Sequence, residues 1–191
     1  MIDLLAMDDF LDDAARGALV EELERAAGDP ATVSGGRGMG GAVESLVRRT
    51  TRIAVSPETR AEVRRRLMER KGALEAHFGV ALGECEEPQF LRYQEGDFFV
   101  AHQDGNTPLI HDDTRHRKIS VVAFLSPRSE EPAPGTYGGG SLVFHGRYPD
   151  IDLRVPAPAD PGTLVAFRAE TTHEVTPVTH GVRYTLVTWF R

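Results

Sequence analysis

The chain has 191 residues, a net charge of −7 and one cysteine, Cys85. That length suffices for one domain with a real core, and the negative balance argues against a nucleic-acid backbone or an anionic membrane as the main partner, since both select basic surfaces. A lone cysteine excludes an intrachain disulfide and speaks against a cysteine-based zinc site.

The opening stretch, "MIDLLAMDDFLDD", mixes acids with apolar residues and carries no basic leader, unlike a signal peptide. No apolar run reaches the roughly 18 residues of a membrane span, so a reducing, cytoplasmic setting is expected. Asp12 or Asp13 caps a predicted helix running to about Ala27, with Leu19, Val20 and Leu23 on its apolar side. The segment "GDPATVSGGRGMGG" is a loop by composition. Its Gly36-x-Gly38-x-x-Gly41 matches the dinucleotide fingerprint in form only, because no strong strand precedes it and no βαβ pattern surrounds it. A second helix is punctuated by Ser56 as cap, Pro57 at its first position and Gly79 at its end. Val63, Leu67, Leu74 and Phe78 form its apolar stripe; Arg64, Arg65, Arg66, Arg70 and Lys71 read as its solvated face, and His77 as structural.

From about Pro88 the pattern changes. "QFLRYQ", "DFFVAHQD", "KISVVAFLS", "GSLVFHG", "IDLRVPA", "GTLVAFRA", "HEVTPV" and "VRYTLVTWF" are short apolar runs parted by Gly, Pro and Asp turns. Such a series predicts a mainly β protein, an antiparallel sandwich or barrel of jelly-roll type. One domain is expected over 1–191, with 1–87 a helical portion packed on one sheet and 88–191 the β core.

Two His-x-Asp pairs occur, His102/Asp104 and His111/Asp113. His102 ends an apolar strand that can hold it rigidly, and strand alternation points His102 and Asp104 the same way. His111, like His116, sits in the polar loop "NTPLIHDDTRHRK". A third ligand must come from a distant strand meeting the first at the barrel mouth. His145 precedes a glycine on an expected turn and His180 lies in a turn bounded by Pro177 and Gly181, which leaves His173, at the start of a strand, as the best candidate. Two histidines and a carboxylate leave positions open for a cosubstrate and O₂ on non-haem Fe(II), although zinc in a hydrolase accepts the same set. Arg183 lies ten residues after His173, across what the spacing presents as a hairpin, and shares a strand face with Thr185. A guanidinium buried beside a metal needs an anion, and its fork fits a carboxylate. A 2-oxo acid with a distant carboxylate, such as 2-oxoglutarate, would satisfy metal and Arg183 together.

These residues, from about Pro88 to Arg191, resemble the prolyl 4-hydroxylase-like group of Fe(II)/2-oxoglutarate dioxygenases. The likeness rests on a Tyr-x-x-Gly run ahead of His-x-Asp, a Gly-Gly strand, and a histidine with an arginine ten positions on. It implies a double-stranded β-helix in which His102, Asp104 and His173 ligate iron. Arg183 would bind the C5 carboxylate, supported by Thr185, with Tyr93 contacting the cosubstrate. It further implies Fe(II), 2-oxoglutarate and O₂, with ascorbate as a supporting reductant. One position departs from the group: Phe124 stands where an inward tyrosine is usual, so Thr185, Ser120 or a water must serve the carboxylate instead.

The substrate is less legible. The loops Gly105 to Lys118 and Pro127 to Gly140, the latter including Tyr137, flank the expected mouth, and Arg117, just before a strand, reads as an edge cap or as a contact for an anionic substrate. A prolyl or other residue in a peptide or protein is the first reading, and a free amino acid or small metabolite the second. Nucleic-acid demethylation is disfavoured by the acidic charge and by Trp189, where a second arginine would be needed. A non-catalytic jelly-roll binding module and a zinc hydrolase are the readings of other classes. Oligomeric state leaves no mark in the sequence.

Overall fold

The computed structural model describes residues 2–32, 46–108 and 111–191. The glycine-rich segment with Gly36, Gly38 and Gly41 lies outside the described residues. Both helices form where their caps place them. Helix α1 spans Asp13–Arg25, and the Asp12 carboxylate accepts the Ala15 N–H at 2.8 Å. Helix α2 spans Pro57–Phe78; Ser56 Oγ accepts the Thr59 N–H at 3.2 Å, and Gly79 closes the helix with its N–H on the Glu75 carbonyl. Glu22 ties one helix to the other, accepting the Ser56 N–H at 2.6 Å and the Thr59 hydroxyl. The buried residues of α2 are the four of the expected stripe, while Arg65 and Arg66 pair with Glu62 on the solvent side.

The strands are β1 (Leu4–Met7), β2 (Gly28–Pro30), β3 (Arg48–Arg49), β4 (Thr51–Ile53), β5 (Gln89–Tyr93), β6 (Phe98–His102) and β7 (Ile119–Phe124). They continue with β8 (Tyr137–Gly139), β9 (Leu142–Tyr148), β10 (Ile151–Pro156), β11 (Leu164–Arg168), β12 (His173–Val175), β13 (Val178–Gly181) and β14 (Arg183–Phe190). Each of the eight apolar runs forms a strand, joined by the short β8 and β13. The major sheet has the order β1-β11-β7-β14-β5-β4-β2, the minor sheet β10-β9-β12-β6-β3, and β13 pairs with β8 alone. The first 87 residues, expected to be helical, thus also lend strands to both sheets. These strands have two to four residues each, too few to show a period of two, and their extended form is set by the neighbour they pair with.

Every strand pair in the sheets is antiparallel, and two apolar layers follow from the alternation. On β14, Tyr184, Leu186 and Phe190 face α1 and α2, together with Val121 and Ala123 of β7 and Leu164 and Ala166 of β11. The alternate residues, Val122, Phe124, Val165 and Phe167, meet Leu142, Phe144 and Val175 of the minor sheet in an inner core. β7 is buried at all six positions because both its faces are covered, which is why "ISVVAF" reads as a continuous apolar run. Leu67 and Leu74 are at most 1% exposed beneath the major sheet, and burial of such a side chain contributes about 1.5–3 kcal/mol. The jelly-roll architecture thereby leaves one end of the inner core bounded by the last residues of β6 and the first of β12.

Candidate metal centre

His102 and His173 are direct register partners across the β6–β12 pair. Their ring centroids are 4.2 Å apart. The pairing slips between this partnership and the next, Val175 with Phe99, so two residues of β6, Val100 and Ala101, oppose Glu174 alone. This β-bulge brings Phe99 and His102 onto one face despite their odd separation. Their rings stack at 3.5 Å and 19°. Asp104 follows just beyond the strand, its N–H on the Ala169 carbonyl at 2.9 Å. His102 Nε2 lies 3.4 Å from Asp104 Oδ1, and His173 Nε2 lies 3.5 Å from Asp104 Oδ2. The ligand-type atoms of the three residues all fall within 4.8 Å of one another.

Both imidazoles are held in the same way. His102 Nδ1 meets the Val100 carbonyl at 2.8 Å, and His173 Nδ1 meets the Thr171 carbonyl at 2.9 Å. A carbonyl only accepts, so each Nδ1 carries the proton and each Nε2 keeps its lone pair for the space beside Asp104. Ser120 donates its hydroxyl to Asp104 Oδ2 at 2.7 Å. Gln103 donates from Nε2 to the Glu170 carbonyl at 2.7 Å, pinning the turn between His102 and Asp104. A Cβ on Gly105 would fall 2.3 Å from the Thr114 carbonyl oxygen and 2.7 Å from Arg117 Cβ, so only glycine lets the chain turn here. Burial opposes the charge of Asp104, but the attraction of His173 and His102 whenever either is protonated and the Ser120 hydroxyl outweigh it, holding the carboxyl well below its ordinary range. Burial, against the attraction of Asp104, lowers His173 to about 4. At neutral pH the trio therefore presents an anion with a neutral imidazole at His173.

Arg183 enters the inner core from the opposite sheet. It is 1% exposed, pairs in register with Tyr93, and its guanidinium carbon lies 4.9 Å from the Tyr93 ring and 5.5 Å from the Phe124 ring. Its one hydrogen bond among the described residues runs from Nη1 to Thr185 Oγ1 at 3.3 Å, and its buried Nε has no partner. No carboxylate of the described residues pairs with it. Gly140 lies alongside, where a Cβ would come within 2.9 Å of Arg183 Cδ. Tyr93 and Phe124 line the same inner core as Phe144 and Phe167, and the Phe167 ring packs edge-on against His173 at 4.7 Å. One apolar layer thus touches His173 at one end and carries an unneutralised guanidinium.

Several expectations need correction. The ten-residue step from His173 to Arg183 is no hairpin: β12 belongs to the minor sheet and β14 to the major, and the chain crosses between them through β13. His145 is within β9 and not on a turn; its Nε2 is 3.5 Å from Glu174. His180 is in β13, half-buried against Gly138. Ser120, a candidate for the carboxylate, serves Asp104. Arg117 is already engaged: it grips Glu86 at 2.7 and 3.0 Å, stacks 3.6 Å above the Trp189 ring and reaches the Asp104 carbonyl at 3.4 Å. Tyr137 is buried. The stacking of Phe99 on His102 and the carbonyl anchors at Val100 and Thr171 had no signal in residue type.

The sequence model of the 2OG-Fe(II) oxygenase superfamily matches residues 88–191, the stretch that holds all of these residues. The chain belongs to that superfamily. A PKHD-type hydroxylase of Paracoccus denitrificans is 32% identical over 158 residues, covering 81% of this chain and 65% of that protein. One from Burkholderia ambifaria is 36% identical over 103 residues, covering 53% of this chain and 41% of the relative. The chain thus spans less than two thirds of the length of these curated relatives. Among solved structures, a Pseudomonas putida prolyl-4-hydroxylase superposes with a TM-score of 0.72 at 22% identity, over 100% of this chain and 93% of that one. A Trichoplax adhaerens prolyl hydroxylase, solved with a hypoxia inducible factor oxygen degradation domain peptide fragment, gives 0.71 at 14% identity, over 100% and 84%. These two establish a shared fold. The superfamily's name carries an iron and a cosubstrate, and the residues here fit both. Metal–ligand bonds of about 2.0–2.2 Å put neighbouring ligand atoms about 3 Å apart, close to the two His–Asp separations, and two histidines with one carboxylate are a donor set suited to Fe(II). The orphaned Nε of Arg183 fits the far carboxylate of 2-oxoglutarate.

No helix among the described residues is long and apolar enough to cross a membrane.

Proposed function

We propose that this chain is an Fe(II)- and 2-oxoglutarate-dependent dioxygenase that hydroxylates an unactivated C–H bond of a residue, prolyl first among candidates, in a peptide or protein. The observation that carries the reading is the fully buried guanidinium of Arg183, which has no carboxylate partner among the described residues and lies against Tyr93 and Phe124 of the inner core whose Phe167 packs on His173. A buried cation without an anion is costly, and a dicarboxylate cosubstrate removes that cost. The zinc-hydrolase and binding-module readings give Arg183 nothing to do.

In this reading His102 Nε2, Asp104 and His173 Nε2 hold the metal. Arg183 with Thr185 fixes the C5 carboxylate, and Tyr93 packs beside it. Iron with 2-oxoglutarate supplies the oxidising step: one atom of O₂ enters the C–H bond as an alcohol, and the other leaves in succinate as the 2-oxo acid loses CO₂. The chain contributes placement. The Nδ1 anchors aim both imidazoles, Ser120 orients Asp104, and Phe99, Phe144 and Phe167 give the two histidines an apolar surround. A peptide substrate is favoured by the PKHD-type relatives and by the peptide bound to the Trichoplax neighbour; a free amino acid is the second reading. The single buried cysteine, unpaired, suits a reducing cytoplasm.

The test is an anaerobic titration of Fe(II) and 2-oxoglutarate, followed by the visible metal-to-cosubstrate absorption band. Band formation that is lost in His102→Ala and Arg183→Ala supports the reading; tight zinc binding with no response to 2-oxoglutarate sinks it. Succinate release against proline-containing peptides and against free amino acids then separates the two substrate classes.

A further inference from the structure

We propose that β10 is a self-pairing edge through which two copies of this chain associate in an antiparallel, two-fold manner. The strand closes the minor sheet, pairs among the described residues only with β9, and is exposed at all six of its positions. Of six large apolar side chains that stand exposed among the described residues, four lie on this hairpin: Tyr148, Ile151, Leu153 and Val155. The last three alternate along β10, opposite Tyr148, Gly146 and Phe144 of β9, so they extend the inner face of the minor sheet past its edge. A concentrated apolar stripe beside an open row of backbone groups is a surface built to be covered.

The backbone says which groups are open. The Ala157 N–H donates to the Leu142 carbonyl at 2.8 Å. Hydrogen-bonded positions recur every second residue in an antiparallel pair, so Val155, Leu153 and Ile151 spend their backbone groups on β9. Asp152 and Arg154 therefore turn theirs outward. Across a two-fold axis at Leu153, Asp152 of one copy meets Arg154 of the other, twice, and Leu153 meets itself. The neighbouring registers that keep these groups in bonding phase set Asp152 against Asp152 or Arg154 against Arg154, and like charges directly opposite are unfavourable. Among the registers that bring the two apolar stripes together on one face, charge at Asp152 and Arg154 thus favours this one. Pro156, which has no N–H, falls opposite the turn residue Asp150 and leaves this central pairing intact.

The side chains are available for it. Asp152 has no hydrogen bond or ion pair among the described residues. Arg154 holds Glu174 through Nη2 while its side chain remains 60% exposed, which leaves the other donors of its fork for the opposite Asp152. The occupant is therefore a second copy of this chain, because the edge is complementary to itself in charge, in bonding phase and in apolar face. The product is a continuous sheet in which the five strands of one copy run on into the five of the other.

Sedimentation velocity on the full chain over a range of concentrations, with circular dichroism to verify folding, tests this. The chain is expected to dimerise, and Asp152→Arg or Arg154→Asp to weaken association about tenfold or more, each replacing two attractive contacts by two repulsive ones. The double variant Asp152→Arg/Arg154→Asp restores opposite charges across the axis and should return the dimer. A chain that stays monomeric to about 1 mM overturns the proposal. So does a dimer indifferent to either single reversal, or a folded double variant that fails to recover.

Discussion

His102 and His173 face each other across one antiparallel strand pair, and each is tethered by Nδ1 to the carbonyl two residues before it. The arrangement fixes both tautomers, so in the proposed metal site the two Nε2 atoms would need little reorganisation on binding. Replacing His102, Asp104 or His173 by alanine is therefore expected to weaken binding of Fe(II), or of Mn(II) as its redox-stable substitute, by about a hundredfold or more. Isothermal titration under anaerobic conditions reads this directly. Retained affinity in any one variant would place the metal elsewhere.

Ser120 gives a finer test. Its hydroxyl is the neutral donor on Asp104 Oδ2. Ser120→Ala should lower metal affinity about tenfold to a hundredfold, because an outer hydrogen bond orients the carboxylate. Affinity for 2-oxoglutarate at saturating metal should change far less. A loss confined to 2-oxoglutarate would instead return Ser120 to the carboxylate pocket.

How much of this was legible depends on where the signal lay. His102, Asp104, His173 and Arg183 stood out because each is a polar residue at the edge of an apolar strand, a pattern that single-chain reading can see. Alternation placed Arg183 and Thr185 on one face, and the inner layer of β14 agrees. The bulge in β6 was hidden, since an extra residue in a strand leaves no mark in composition. The route from His173 to Arg183 was misread because Pro177 and Gly181 signal a turn equally well when the chain changes sheets. The assignment of Ser120 to Asp104 was a matter of register, Trp189 lying opposite Ser120 and not Arg183. Short strands such as β3 exist only through their partners, so no local pattern announces them.

Arg183 should separate stability from function. Its charge is buried with one weak hydrogen bond. Arg183→Met keeps most of the volume and removes the stranded cation, so the metal-free protein should gain about 1–3 kcal/mol in urea unfolding. Binding of 2-oxoglutarate should be lost in the same variant. If the variant is strongly destabilised instead, Arg183 has an anionic protein partner and the carboxylate pocket is wrong.

The pH dependence of the metal-free fold follows from His173 and Asp104. His173 titrates near 4 in the folded protein against 6.5 when exposed, so between those values the unfolded chain binds more protons. Stability then falls as pH drops through that window, by up to about 1.4 kcal/mol per pH unit for the one group. Asp104, also depressed, adds a loss of the same sign at lower pH, through the range where a free carboxyl protonates. Melting temperatures from pH 7 to 4.5 should decline, and His173→Gln should flatten the decline above pH 5. An equal slope in that variant would put the responsible group elsewhere.

Phe124 bears on the departure from the group's usual tyrosine. It is 1% exposed, lies opposite Thr185 in register, and its ring is 5.5 Å from the Arg183 guanidinium carbon. Phe124→Tyr would add a buried hydroxyl beside the Arg183 guanidinium, which offers only donors, and would have to compete for Thr185 Oγ1, destabilising the empty protein by about 1–3 kcal/mol. With 2-oxoglutarate bound, the same hydroxyl would face the C5 carboxylate and should tighten binding about threefold to tenfold, the worth of one further hydrogen bond. The melting temperature should accordingly be lower without cosubstrate and rise more steeply with it. A variant that binds 2-oxoglutarate more weakly would show that Thr185 and Arg183 already fill the carboxylate's coordination, and that phenylalanine here closes the inner core against a group it cannot accommodate.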